Sequence, residues 1–352
     1  MEKNEKTVNF LKVINFDYPK WIPAIVGLMP ATWFKYKEEL EKIVLSHPTL
    51  FSNYKKNDFS KIKLSIDYKK GKWVDIWGVT WENLEEGLVG APVENLAPLK
   101  NWDNFEKFVA PDPLKYDWYG NEIDWAKIKK DIETEKSKGN LAGGGLVHGS
   151  MYMRLYYLRG FTNFMIDVAT KKPKLDRLIK IVLDYNLTLI EKWIEVGVEI
   201  MYFGDDLGQQ KNLPISPKDW RYYLKPCFQK MYGRCKEKNI YTYQHTDGYI
   251  LDIIPDLIEC GLNVLNPQIR PNTLKGIEKY CKKKIAIVLD LDRQLFPFAT
   301  KKQLQDHIKQ AIDTLALPEG GLILSAECEP DVPLENIETI CETFEKFGCR
   351  GM

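Results

Sequence analysis

The chain is predicted to fold as an α/β protein, specifically a (β/α)8 TIM barrel with an aromatic-rich elaboration in its N-terminal part. Three observations predict this. From about residue 140 onward, short apolar runs alternate with amphipathic helical stretches, a pattern that implies parallel strands joined by helical crossovers. Six candidate strands lie in that part, and two earlier apolar runs bring the count to eight. The phosphate-binding fingerprints of open doubly wound sheets are missing: there is no GxxxxGK followed by Ser or Thr, and Gly143-Gly144-Gly145 does not form a GxGxxG opening a helix. Those glycines read instead as a strand entry or a place of close backbone packing.

The early runs are Trp21 to Leu28 and Asp75 to Thr80. The six later strands are Gly145 to His148, Glu199 to Gly204, Ile240 to His245, Val264 to Asn266, Ile285 to Leu289 and Gly321 to Leu324. Between them, apolar residues at helical spacing predict helices over Lys174 to Val196, Pro217 to Lys238, Ile250 to Cys260, Thr273 to Lys282 and Lys301 to Leu315. A last helix is expected from about Glu335 to Phe347. Residues 1–140 read as irregular and hold eight of the ten tryptophans. Most of those rings should anchor long loops; Trp33, Trp77 and Trp81 are the candidates for lining an apolar substrate mouth. The expectation is one domain over residues 1–352, with residues 141–352 its regular part.

Composition limits the function. Fifty basic residues against forty-nine acidic ones leave a net charge of +1, so the basic excess of a phosphate-binding nucleic-acid protein is absent. No apolar run approaches the ~18 residues of a membrane span. The polar start, Met1 to Thr7, has no apolar core of a secretory signal behind it, so a cytoplasmic protein is expected. Seven cysteines at irregular spacing without a CxxC fit packed or free thiols in a reducing compartment.

In a barrel of this kind the chemistry collects at the C-terminal ends of the strands. Five successive candidate strands end in Gly204-Asp205-Asp206, His245-Thr246-Asp247-Gly248, Asn266-Pro267-Gln268, Asp290-Leu291-Asp292-Arg293-Gln294 and Glu327-Cys328-Glu329. One rim would thus gather carboxylates, imidazole, thiol and amides. Asp205 and Asp206, as neighbours, should point to opposite sides of an extended segment. Asp206 is favoured for the cavity, as a catalytic carboxyl together with Asp205 and His245. Asn266, Gln268, Asp292 and Gln294 are candidates to orient a small polar substrate. His245, Asp247 and Cys328 together suit Zn²⁺ with a fourth position left open. The alternative is a rim histidine salt-bridged to Asp247, with Cys328 merely packed.

Several runs resemble the uroporphyrinogen decarboxylase superfamily. They are Gly204-Asp205-Asp206-Leu207-Gly208-Gln209-Gln210 with Ile215-Ser216-Pro217, His245-Thr246-Asp247-Gly248, Ile254-Pro255-Asp256-Leu257-Ile258, Val264-Leu265-Asn266-Pro267, Asp292-Arg293-Gln294 and Cys328-Glu329-Pro330-Asp331-Val332-Pro333. The resemblance covers about residue 145 to the end and implies a (β/α)8 barrel. It also separates two chemistries. The decarboxylases carry an arginine-rich N-terminal segment for the carboxylates of a tetrapyrrole, whereas Ile22 to Trp33 contains no arginine. The corrinoid-dependent methyltransferases that use zinc hold it with an HxC pair and a later cysteine. His245 and Cys328 match two of those positions, and Asp247 stands where the middle cysteine would be.

A carboxylate in place of a thiolate makes a harder metal, better matched to polarising oxygen than to holding a thiol. The resemblance therefore implies a methyltransferase that demethylates a small aromatic O-methyl donor and passes the methyl group to the cobalt of a corrinoid protein. Zinc is the expected metal and a separate corrinoid protein the expected partner; a homodimer is left open. The rival expectations are methyl transfer from a methylcorrinoid to a thiol, decarboxylation of a smaller acid, and a non-catalytic binding barrel.

Overall fold

In the computed structural model, residues 2–348 are described. The N-terminal part contains α1 (Glu5–Ile14), β1 (Ala24–Leu28), α2 (Pro30–Ser46), the short strands β2 (Gly71–Val74), β3 (Thr80–Asn83) and β4 (Ala91–Pro92), and α3 (Trp125–Ser137). Then follow β5 (Gly143–Gly145), α4 (Tyr152–Arg159), α5 (Phe161–Ala169), α6 (Pro173–Val196), β6 (Ile200–Gly204), α7 (Pro217–Tyr223), α8 (Lys225–Lys236) and β7 (Tyr241–Thr246). The remainder is α9 (Ile254–Glu259), β8 (Val264–Pro267), α10 (Ile269–Asn272), α11 (Leu274–Cys281), β9 (Ala286–Asp290), α12 (Lys301–Leu315), β10 (Leu322–Cys328) and α13 (Leu334–Phe347).

The alternation read from the sequence is the alternation of the fold. Seven parallel strands follow the order β1-β10-β9-β8-β7-β6-β5, and β2-β3-β4 form a small separate sheet. The expected eighth strand, Asp75 to Thr80, is not in the large sheet. Trp77 and Val79 are buried, but Asp75 turns the chain instead of extending it: Oδ1 accepts the N–H groups of Trp77 and Val79, both at 2.9 Å. Gly78, at φ +80°, completes the turn.

The chain divides into two compact units. One comprises Gly71–Glu82 and Ala91–Leu265 with the N-terminal residues up to Thr7. In it Gly143, Gly144 and Gly145 pair with Ile200, Met201 and Tyr202, and β6 pairs onward with β7 up to Gly204 against His245. The three glycines of β5 are a packing requirement: a Cβ at Gly143 would lie 2.6 Å from the Tyr202 ring, and one at Gly144 would enter the Trp193 ring. Helix α6 covers this sheet with Leu175, Leu178, Ile179, Val182, Leu183, Asn186 and Ile190 buried, the spacing of one helical face. It ends at Gly197 in the left-handed conformation. The single helix expected over Pro217 to Lys238 is two helices. Pro226 has no N–H to give Tyr222, so the chain breaks at Leu224 and restarts.

The other unit comprises Val8–Lys70, Asn83–Gly90 and the chain from Asn266 onward. Its strand β9 is buried at all five positions, as parallel strands covered on both faces are. Helix α12 spans the expected residues and opens with Thr300 and Gln303 capping each other's backbone N–H groups. Among the described residues, no helix is long and apolar enough to cross a membrane.

Candidate functional site

The site is built in the first unit, where β5, β6 and β7 end. β6 closes on Gly204-Asp205-Asp206, and the two carboxylates point opposite ways. Asp205 is fully buried, and its oxygens accept backbone N–H groups from Met151, Tyr152 and Met153 at 3.0, 2.6 and 2.8 Å. It thus caps α4. Burial pushes its pKa up to about 6 against the pull of those donors. Asp206 turns the other way, and its Oδ2 lies 3.2 Å from His148 Nε2.

His148 follows β5. The ring lies against Gly204, where a Cβ would sit 2.6 Å from Nδ1. β7 brings His245, and the two imidazoles are 5.6 Å apart between ring centres. His148, Asp206 and His245 each offer a ligand atom, and all three atoms lie within 4.8 Å of one another. Among the described residues this is the one group of three or more His, Cys, Asp or Glu side chains so arranged. Asp247 flanks it: its N–H donates to Asp206 Oδ1 at 3.0 Å, and its Oδ1 is 3.3 Å from His245 Nε2. Two further bonds join the loops that carry these carboxylates, from Leu207 N to Thr246 Oγ1 at 2.9 Å and from Tyr249 N to Gln209 O at 2.7 Å.

Electrostatics follow from this geometry. Desolvation works against charge on both His148 and Asp206, but each overcomes it through the other. The hydrogen bond and charge of Asp206 hold His148 above its ordinary value of 6.5, and those of His148 hold Asp206 below 3.8. In metal-free protein the raised His148 pKa adds stability that is complete below pH 6.5 and is lost as pH rises through the raised value. The depressed Asp206 pKa adds stability that is present above 3.8 and is lost as pH falls through the depressed value. Urea midpoints should therefore decline for the wild type as pH rises above 6.5, and less so for His148→Ala. Parallel curves for the two proteins would mean that the pair has no such linkage.

The sequence-predicted residues are distributed as follows. Asp206 and His245 meet, with Asp247 beside them; His245 and Asp247 also make the salt-bridge contact of the alternative reading. Cys328 does not join this group. β10 extends through residue 328, and its burial alternates so that Ser325 and Glu327 are half-buried while Ala326 and Cys328 are buried. The Cys328 thiol is wholly buried. Burial, and then the nearby Cys341 of α13, push its pKa well above the ordinary value. That is a packed thiol, which corrects the expectation of a cavity-facing ligand.

The aromatic mouth is corrected too. Trp33, Trp77 and Trp81 are only 7%, 5% and 7% exposed. Trp33 stacks on Tyr54 and Phe59, with ring centres 5.3 and 5.9 Å away. Trp77 packs on Tyr185 of α6 and Arg154 of α4, and Trp81 on Tyr157 of α4.

Asn266, Gln268, Asp292 and Gln294 belong to the second unit. Asn266 is buried, with Nδ2 on Val288 O at 2.6 Å. Gln268 pairs by its backbone with Asp290. Asp292 Oδ1 accepts from Arg270 Nε at 2.8 Å and from Gln294 N at 3.2 Å. Gln294 is exposed.

Two imidazoles and a carboxylate are a donor set that zinc accepts, with a fourth position left for substrate or water. The residues present therefore fit the metal, through a set that takes only His245 from the three ligands expected. His148 was missed. A signal was available: it is one of four histidines and ends the candidate strand Gly145 to His148, to which the strand-end rule applies as it does to the others.

A mixed α/β fold of the barrel type, with such a cluster at its strand ends, defines a broad class of proteins. The particular family follows from the sequence: residues 92–347 match the model for uroporphyrinogen decarboxylase (URO-D), and the chain belongs to that family. Among solved structures, a methyltransferase from Methanosarcina mazei is similar at TM-score 0.63 and 15% identity, over 98% of this chain and 99% of that one. At that identity the likeness shows a shared fold. A B12-independent methionine synthase from Shewanella sp. W3-18-1, in complex with selenomethionine, reaches TM-score 0.41 at 10% identity, over 64% of this chain and 66% of its own. No curated protein matches the chain in sequence.

Proposed function

We propose that this member of the family is a methyltransferase that takes the methyl group from a small aromatic O-methyl donor and passes it to a corrinoid protein. In this reading His148, Asp206 and His245 hold a zinc ion. The observation that carries it is the gathering of their three ligand atoms within 4.8 Å at the ends of β5, β6 and β7. When bound, zinc would polarise the donor's oxygen and the partner's corrinoid would accept the methyl group.

The chain's own residues supply the rest. Asp247, in contact with His245 Nε2, fixes the ring's orientation, the role that carboxylate partners play for metal-binding imidazoles. The ether oxygen is a poor leaving group, so stabilising the charge that develops on it is the main requirement. A His–His–carboxylate set meets that requirement better than a thiolate-rich one, because it leaves the metal more Lewis-acidic. Tetrapyrrole decarboxylation is disfavoured because residues 22–33 carry no arginine, and a polycarboxylate needs cationic partners.

The test is to incubate zinc-loaded protein with methoxylated phenols and cobalt(I) cobalamin under anaerobic conditions. Methylcobalamin should appear in the visible spectrum. Consumption of methylcobalamin by a thiol instead would reverse the direction. Neither reaction, with metal-replete protein, would overturn the methyltransferase reading and leave decarboxylation of a smaller acid to be assayed.

A further inference from the structure

We propose that Asp205 is a positioning residue: by gripping the start of α4 it holds the His148 imidazole against Asp206. Asp205 does not face the ligand cluster, and it is 1% exposed. All its captured donors lie just beyond His148. Oδ2 accepts from Met151 N and Tyr152 N, and Oδ1 from Met153 N. Met151 is the N-cap of α4 and Tyr152 and Met153 open its first turn, where backbone N–H groups have no acceptors within the helix. A carboxylate at that end is also favoured by the helix dipole.

His148 therefore rides on a short segment pinned along β6. Leu146 N donates to Tyr202 O at 3.0 Å, Gly149 N donates to Gly204 O at 2.8 Å, and Asp205 takes the three N–H groups from Met151 to Met153. The imidazole itself is 46% exposed, so packing alone does not fix it. Three consecutive residues of one strand end divide the task. Gly204 gives the ring a surface to lie on, Asp205 anchors its segment, and Asp206 bonds its Nε2. Asp205 acts through His148 and needs no contact with substrate.

The test uses Asp205→Asn, which keeps the shape of the side chain but turns an NH₂ group toward backbone donors. Asp205→Ser, which retains one short acceptor, takes its place if the asparagine variant does not fold. The first readout needs no metal. In histidine-labelled, metal-free protein, the nuclear Overhauser contact between the His148 ring and the Gly204 α-protons should be strong in the wild type and lost in the Asp205 variant. Asp124→Ala, which removes the side-chain acceptor at the N-cap of α3, should leave it intact.

The second readout rests on the zinc reading. Zinc affinity should fall by about 10–100-fold, as for other residues that orient a metal ligand. An unchanged contact in the Asp205 variant, with only a lower melting temperature, would overturn the proposal and leave Asp205 a helix cap alone. If the wild type takes up no zinc, the metal reading fails while the ring contact still decides the role of Asp205.

Discussion

Asp75→Ala is expected to cost about 3–5 kcal/mol of stability, the range for removing one partner of a buried ion pair. Arg154 is 1% exposed, and its Nη1 donates to Asp75 Oδ2 at 2.9 Å. The guanidinium is enclosed by aromatic rings, with Trp118, Tyr157 and Trp77 centred 4.2, 5.3 and 5.6 Å from its central carbon. Burial works against the cation, and Asp75 is the group that offsets it. Without that carboxylate the charge has neither water nor an anion beside it. The same substitution also frees the N–H groups of Trp77 and Val79 and the Trp81 indole N–H, which donates to Oδ2 at 3.1 Å. Against a total stability of about 5–15 kcal/mol, the loss should appear as a large drop in the urea midpoint. Replacing both members, Asp75→Ala with Arg154→Met, should recover part of it, because an apolar pair needs no compensation. A single-variant loss below about 1 kcal/mol would show that the pair is not buried as described.

The second large effect is on the metal. Asp206→Ala should lower zinc affinity by more than about 100-fold, because the loss of an orienting partner alone costs about 10–100-fold and Asp206 does more than orient. It offers a ligand atom, bonds His148 Nε2 and receives the Asp247 N–H. Removing it withdraws one ligand, loosens a second and frees the loop that carries the residue beside the third. In the proposed reaction the rate of methyl transfer should fall with the affinity, and added zinc should restore little of it.

Much of this arrangement was legible in the sequence. The β6, β7 and α12 boundaries were readable because periodicity and flanking turn residues agree there. His245 and Asp206 were readable because the strand-end rule depends only on knowing where a strand stops. The misses have equally local causes. Asp75 to Thr80 has a strand's apolar content, but a carboxylate that binds its own turn. Pro226 breaks a helix whose amphipathic pattern continues across it. Cys328 was misplaced because the last strand was expected to stop at Leu324. It runs four residues further, and in a strand one position of parity decides whether a side chain meets the cavity or the helix layer. His148 was passed over although the strand-end rule reached it; what one dimension hides is the side-chain-free backbone of Gly204 in the adjacent strand, on which its ring lies.

The most direct test is zinc content by elemental analysis of three proteins prepared alike without chelator: wild type, His148→Ala and Cys328→Ala. The proposed ligand set predicts about one zinc per chain in the wild type and in Cys328→Ala, and little in His148→Ala. Zinc lost from Cys328→Ala but retained in His148→Ala would contradict the assigned ligand set, and no zinc in any of the three would contradict the metal site altogether.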